Sequence, residues 1–163
     1  MKNEMINNEM KKWKKTTTIV VGITFAWLTL NLTGFSIGNF RLVLSCFVDE
    51  PIDFAFWCVF AIGLYLFIFR DKIGRYFLLA FFAVGAFIQT AIYFRTPERI
   101  ESYNNHFNNH GTHRLFPTSD TFIIKDTYHI FIDVLILASL ICLTIFIVKG
   151  FKNRNQIKTK IKN

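Results

Sequence analysis

The sequence predicts an all-α integral membrane protein, built as an antiparallel bundle of four transmembrane helices with both termini in the cytoplasm. The first observation is composition: of 163 residues, 52% are hydrophobic and 18% are charged, whereas a soluble domain carries about 25% charged residues. The second is the presence of four long apolar segments, and the third is the grouping of basic residues around them. Together they exclude a soluble globular enzyme, a disordered chain and a disulfide-stapled secreted domain.

The four apolar segments are long enough to cross a bilayer as helices, which takes about 20 residues at ~1.5 Å each. The predicted spans cover residues 17–38, 52–69, 76–94 and 128–148. None of them contains a proline, and none shows the short alternating pattern of a β-barrel strand. They define a membrane domain over residues 17–148, between basic tails at 1–16 and 149–163.

Basic residues predict the orientation of the spans. Fourteen of the 19 lysines and arginines lie in the N-terminal tail, beside the turn between the second and third spans, or in the C-terminal tail. Because such residues collect on the cytoplasmic side, loops 39–51 and 95–127 are predicted to be extracytoplasmic. The abundance of Lys, Asn, Ile and Phe favours a bacterial source, and therefore a plasma membrane. The same rule explains the net charge of +8, so the charge does not indicate a nucleic-acid partner. The predicted partners are the lipid bilayer and a membrane or secreted protein.

Small residues and cysteines give weaker indications. Gly34 and Gly38 form a G-x-x-x-G pair that predicts close helix packing at the end of the first span. Residues 40–48 are apolar but too short to cross, so we expect them to cap the bundle or to lie at the membrane interface. The three cysteines lack C-x-x-C spacing and imply no disulfide framework.

All four histidines lie between positions 106 and 129, near the predicted outer mouth of the fourth span. Imidazoles at such spacings can bind a divalent ion such as zinc, although the neighbouring asparagines and Gly111 argue against a regular helix there. The candidate metal ligands are His106, His110, His113 and His129. Asp126 and Asp133 share a helical face with His129, so these two aspartates are the candidate proton acceptors of a catalytic site.

Asp133 is expected about 8 Å below the membrane boundary, at a depth where a carboxylate needs a partner. Other polar residues are expected at similar depth. They predict a polar funnel, open to the outside, formed by Asn31, Asp53, Gln89 and Asp133.

Three interpretations of this funnel remain open from the sequence. In the first, Asp133 bonds Asn31 or Gln89 and only fixes the register of the helices. In the second, histidines and aspartates bind a divalent metal. In the third, the funnel recognises a secreted peptide, a lipid headgroup or a partner protein. The leading function is that of a non-enzymatic accessory or immunity-type protein that recognises a molecule at its outer face. The alternative is a small zinc-dependent membrane enzyme.

Overall fold

The computed structural model describes residues 2–48, 51–93, 97–109, 111–117, 119 and 121–162. Its elements in chain order are α1 (Lys2–Thr33), β1 (Phe35–Ile37), β2 (Phe40–Val43), α2 (Ile52–Phe69), α3 (Asp71–Tyr93), α4 (Pro97–Asn109) and α5 (Thr127–Lys162). Within these ranges, α1, α2, α3 and α5 each contain a segment long and apolar enough to cross a membrane. The chain is therefore mostly helical, as a multi-pass membrane protein of the all-α class should be.

The four long helices pack side by side, and successive neighbours run antiparallel. On one side, α1 contacts α5 through a 2.8 Å hydrogen bond between the hydroxyls of Thr24 and Ser139. On the other side it contacts α2, where the Trp57 indole donates to the Thr29 hydroxyl at 3.0 Å. Helix α3 also packs against both α2 and α5. We call the end that bears β1, β2 and α4 the loop end, and the opposite end, where α1 begins and α5 finishes, the tail end.

The main core lies between the helices toward the tail end. Aromatic rings fill it: Phe60 on α2 meets Phe82 on α3 edge to face at 5.2 Å, and Phe67 meets Phe146 on α5 at 6.1 Å. Gly74 permits the close approach of α2 and α3 at their turn, because a Cβ there would lie 2.1 Å from the Phe67 nitrogen. Such contacts matter in lipid, where packing rather than water exclusion holds helices together.

Two basic residues toward the tail end, Arg75 and Lys149, are paired with acidic neighbours. Arg75 is buried, forms an ion pair with Asp71 one turn earlier, and places its guanidinium 4.9 Å from the Phe146 ring centroid. Lys149 forms an ion pair with Glu9 and lies 4.8 Å from the ring centroid of Trp13. These contacts tie the start of α3 to α5, and the first part of α1 to the last part of α5.

The first predicted span, residues 17–38, is wrong at its end. Helix α1 stops at Thr33, and the next ten residues form an antiparallel hairpin in which β1 pairs with β2. Gly34 and Gly38 have φ angles of +73° and +56°, which lie in the left-handed region and end regular helix. The predicted G-x-x-x-G helix contact is therefore also wrong, because Gly34 joins the end of α1 to β1 and Gly38 lies in the turn between the two strands.

Residues 40–48 cover the loop end of α1. The Cys46 N–H donates to the Asn31 carbonyl at 2.7 Å, and the Ser45 hydroxyl donates to the Leu32 carbonyl at 2.7 Å. These are carbonyls of the last helical turn, which lack partners within their own helix. Leu42 and Val43 are buried against Tyr128, so the hairpin joins α1 to the start of α5.

Residues 97–109 form helix α4, although the local asparagines argue against a regular helix. Asn104 explains its position: the residue is 7% exposed, and its amide nitrogen donates to the carbonyls of Ser119 (2.7 Å) and Phe122 (3.2 Å). Its amide oxygen accepts from the Ile124 N–H at 3.3 Å. One side chain thus fixes α4 to the segment that leads into α5.

Candidate ligand-binding cavity

A cavity of about 300 Å³ lies at the loop end, among α1, α2, α3 and α5 and next to α4. Its lining changes along its length. The deeper part is apolar and is formed mainly by Leu28, Phe60, Phe81, Phe82, Ile132 and Ile136. The part nearer the loop end mixes apolar residues such as Ile52 and Ile88 with polar residues of the lining, which include Asn31, Asp53, Gln89, Tyr103, His106, Lys125, Asp126, Tyr128 and His129. The cavity is therefore amphipathic.

Asn31 and Asp53 form one polar wall. The Asn31 amide nitrogen donates to the Asp53 carboxylate at 2.6 Å and joins the end of α1 to the first turn of α2. Asn31 is 7% exposed, and its backbone carbonyl accepts from Cys46. Cys46 thus fixes the backbone of Asn31, and the side-chain amide of Asn31 holds the Asp53 carboxylate at the cavity wall.

Asp126 and His129 form the opposite wall at the start of α5. Asp126 is 1% exposed, and one of its carboxylate oxygens accepts from the backbone N–H of His129 at 2.9 Å. The same oxygen lies 2.7 Å from Nδ1 of the His129 ring. Asp126 thus caps the helix N-terminus. Burial raises the pKa of the Asp126 carboxyl, but the hydrogen bonds and charge of His129 lower it more, so the pKa lies below its usual value.

Lys125 closes the side of the cavity between α3 and α5. Its side chain is 2% exposed, and its ammonium donates to the Gln89 amide oxygen and to the Asp133 carboxylate, each at 2.7 Å. A second cavity of about 210 Å³ lies beyond this contact, and Gln89 and Asp133 both line it. Lys125 and Gln89 therefore stand between the two cavities.

Tyr128 lines the cavity and carries a buried hydroxyl. The residue is 2% exposed, its ring stacks on Trp27 at 5.9 Å, and the Trp27 indole donates to its backbone carbonyl at 3.2 Å. Its hydroxyl oxygen is buried and has no hydrogen-bond partner within the described part of the chain. An unsatisfied buried hydroxyl costs about 1–3 kcal/mol, so this position favours a bound molecule that supplies the missing hydrogen bond.

The residues predicted for the funnel divide between the two cavities. Asn31, Asp53 and Gln89 line the larger cavity, whereas Asp133 lines the smaller one. Despite the helical spacing, Asp133 lines a different cavity from Asp126 and His129, and its carboxylate accepts from Lys125, which also binds Gln89 on α3. The expectation that Asp133 bonds Asn31 or Gln89 is therefore incomplete: Gln89 shares the same ammonium, and Asn31 bonds Asp53.

The candidate metal ligands are also divided. His106 and His129 both line the larger cavity. The Nδ1 atom of His113 instead lies 2.8 Å from the Thr127 hydroxyl, and its ring lies 4.9 Å from that of Phe40. His110 falls outside the described residues. Among the described residues, no three His, Cys, Asp or Glu side chains come close enough together to hold a metal ion.

Sequence reasoning missed three residues of this region. In the sequence, Lys125 is one of five basic residues outside the predicted cytoplasmic segments, and Tyr128 is the first residue of the predicted fourth span, so neither position indicates a cavity. The signal for Lys125 was its position directly before Asp126 and eight residues before the membrane carboxylate of Asp133. Nothing in the sequence marked Asn104 among its neighbouring asparagines.

No protein-family model, no curated protein and no solved structure matches this chain. The function must therefore be argued from the cavity and its residues.

Proposed function

We propose that this chain is a multi-pass protein of a bacterial plasma membrane that binds a small amphiphilic molecule in the larger cavity, without catalysing a reaction. Both tails lie in the cytoplasm, and the loop end faces the outside. The protein acts as an accessory or immunity-type receptor, and its ligand is recognised from the extracytoplasmic half of the membrane.

The orientation is supported by charge. Fourteen of the 19 basic residues lie in the two tails and beside the turn between α2 and α3, all of which are at the tail end. At the loop end, Lys125 is buried in an ion pair, so it adds little to the surface charge there. The positive-inside rule thus favours a cytoplasmic tail end.

The size and lining of the cavity support an amphiphilic ligand. Pockets for small molecules begin at about 300 Å³, so this cavity lies at the lower end of that range. A whole phospholipid is too large for it. The phenylalanines of the deeper part suit an alkyl chain or a ring, while the polar part offers hydrogen bonds to one headgroup.

The Tyr128 hydroxyl carries the proposal. Asn31, Gln89, Lys125 and Asp126 all make hydrogen bonds to other protein groups at the cavity wall. The Tyr128 hydroxyl, in contrast, is buried without one among the described residues. A ligand with a hydroxyl or carbonyl oxygen beside it would satisfy that hydroxyl and explain why a tyrosine stands where a phenylalanine would pack equally well.

The zinc-dependent enzyme is the second candidate, and the observation that favours it is the shared position of His106 and His129 on the cavity. Asp126, which holds His129, would then orient a metal-binding imidazole. Metal analysis of the purified protein separates the two candidates. About one zinc per chain, lost in a His106→Ala/His129→Ala variant, would support the enzyme.

Quenching of tryptophan fluorescence by 10-bromo-1-decanol tests the proposed binding. In lipid nanodiscs, the probe dissolves in the bilayer and gives a linear background, whereas a cavity gives an additional saturable component. We expect that component in the wild type and its loss in Gly85→Leu, because Gly85 lines the cavity and its nearest neighbour beyond a Cβ is Ile136 at 3.9 Å. Gly22→Leu is the matched control, since a Cβ there meets nothing within 4 Å.

A Tyr128→Phe variant tests the role of the hydroxyl. Removal of one hydrogen bond of about 1 kcal/mol should weaken saturable binding about fivefold. A saturable component that is equal in wild type and Gly85→Leu, or absent from the wild type, would contradict the proposed function.

A further inference from the structure

We propose that the ligand is a single-chain amphiphile dissolved in the bilayer, and that it reaches the cavity sideways, through an opening between α2 and α3. This inference rests on the proposed function and adds the route and the source of the ligand.

Helices α2 and α3 are tightly packed near their turn. The approach at Gly74 leaves no room for a Cβ, and a Cβ at Gly63 would lie 2.7 Å from the Leu78 side chain. Further toward the loop end, Phe60 and Phe82 are each 1% exposed and in ring contact. No path between the helices exists over this stretch.

The contacts between α2 and α3 define an antiparallel register, and that register predicts which residues of the two helices face each other nearer the loop end. Phe67 is level with Gly74, Gly63 with Leu78, and Phe60 with Phe81 and Phe82. Continued by two more turns, the antiparallel register places Phe56 level with Gly85. It then places Ile52 and Asp53 level with Gln89 and Ile88.

These residues line the cavity but are also open to the outside of the membrane domain. Ile52 is 59% exposed, and Phe56 and Ile88 are each 42% exposed, yet all three are part of the cavity wall. Apolar side chains that face both a cavity and the lipid form an opening that an alkyl chain can cross without meeting water. Asp53 and Gln89, each next to one of the isoleucines, offer polar groups at the same depth for the headgroup.

The other sides of the cavity are more restricted. Tyr103 and His106 place α4 at the cavity on the loop side, and Asn104 anchors that helix by three hydrogen bonds. Between α3 and α5, Lys125 bonds Gln89 and Asp133. An apolar side opening with polar barriers elsewhere favours a ligand taken from lipid over one taken from water.

Binding kinetics of 10-bromo-1-decanol test the route. The double variant Ile52→Phe/Ile88→Phe narrows the proposed opening, and Ile62→Phe/Val84→Phe adds the same bulk to exposed positions of the same two helices, outside the cavity lining. We expect the first variant to lower the association and dissociation rates together, by about fivefold or more, with the Kd changed by less than about twofold. The control should keep wild-type rates.

The variant Asn104→Ala tests the alternative route, in which the ligand enters past α4. It releases α4, so it should leave both rates unchanged if the ligand comes from the bilayer. Faster binding in Asn104→Ala together with wild-type rates in Ile52→Phe/Ile88→Phe would overturn the side opening while leaving the cavity site intact. The absence of saturable binding in the wild type would instead overturn the proposed function, and this inference with it.

Discussion

The ammonium of Lys125 lies 2.7 Å from the carboxylate of Asp133, eight residues further along the chain. The lysine belongs to the segment before α5, and its side chain, which is only 2% exposed, extends along the first turns of that helix to Asp133. The same ammonium binds Gln89 on α3 at 2.7 Å. One cation thus links the loop, α3 and α5, and supplies the partner that a carboxylate at membrane depth requires.

Breaking this pair from one side should be more costly than removing both charges. Lys125→Met leaves the Asp133 carboxylate without its cation and should lower the free energy of unfolding by about 3 kcal/mol. The double variant Lys125→Met/Asp133→Leu should recover a large part of that loss, because no buried charge remains. Equilibrium unfolding in mixed micelles measures both values. Single-variant losses that simply add in the double variant would show that the two residues are not coupled.

Asn104 should control the local stability of α4. Asn104→Ala removes three hydrogen bonds between α4 and residues 119–124, so amide hydrogens of α4 should exchange at least about tenfold faster, with little change in α2. Asn105→Ala is the matched control, since that neighbouring side chain is exposed. Hydrogen exchange followed by mass spectrometry makes the comparison. Equal protection of α4 in the two variants would disprove the anchoring role.

Asp126 should make stability depend on acid pH. Its pKa in the folded protein lies below the ordinary value of 3.8, so the ionised form stabilises the fold. That contribution is complete above pH 3.8 and is lost as the pH falls through the lowered pKa of the folded state. Asp126→Asn, which keeps an oxygen for the His129 N–H, should therefore lose less unfolding free energy than the wild type between about pH 5 and pH 2. Parallel acid profiles for the two proteins would exclude this contribution.

The two hairpin glycines should differ in their tolerance of a side chain. Both have positive φ angles, so alanine at either position costs about 1–2 kcal/mol. At Gly34 a Cβ would also lie 3.0 Å from the Ser45 nitrogen, whereas at Gly38 it meets nothing within 4 Å. Thermal unfolding should therefore show a larger loss for Gly34→Ala than for Gly38→Ala. The reverse order would argue against the tight contact between Gly34 and residues 43–45.

The sequence predicted the membrane helices because their signal is local. An apolar segment of 18 residues such as 52–69 has few alternatives to a helix in lipid, where every backbone group must be bonded within the segment. The end of the first span was harder, because residues 34–38 carry no charge or proline that would mark the end of an apolar helix. There, hydropathy alone favoured a helix, while Gly38-Asn39 gave a hairpin signal of the kind that precedes a second strand.

Contacts between distant parts of the chain were beyond sequence reasoning. The spacing of Asp126, His129 and Asp133 does place them along one helix, but Lys125 draws Asp133 toward α3 and leaves Asp126 with His129. The burial of the Tyr128 hydroxyl, which has no hydrogen-bond partner among the described residues, likewise depends on the hairpin, α1 and α5 meeting around the ring. Such features follow from packing, and periodicity carries no information about them.

Native mass spectrometry of the protein released from nanodiscs tests whether the larger cavity holds a ligand. We expect a 19.1 kDa chain that carries one additional molecule smaller than a phospholipid, which is lost in Gly85→Leu and retained in Gly22→Leu. A wild-type spectrum that contains only the bare chain and whole-phospholipid adducts, in the same proportions as both variants, would contradict a ligand-binding cavity.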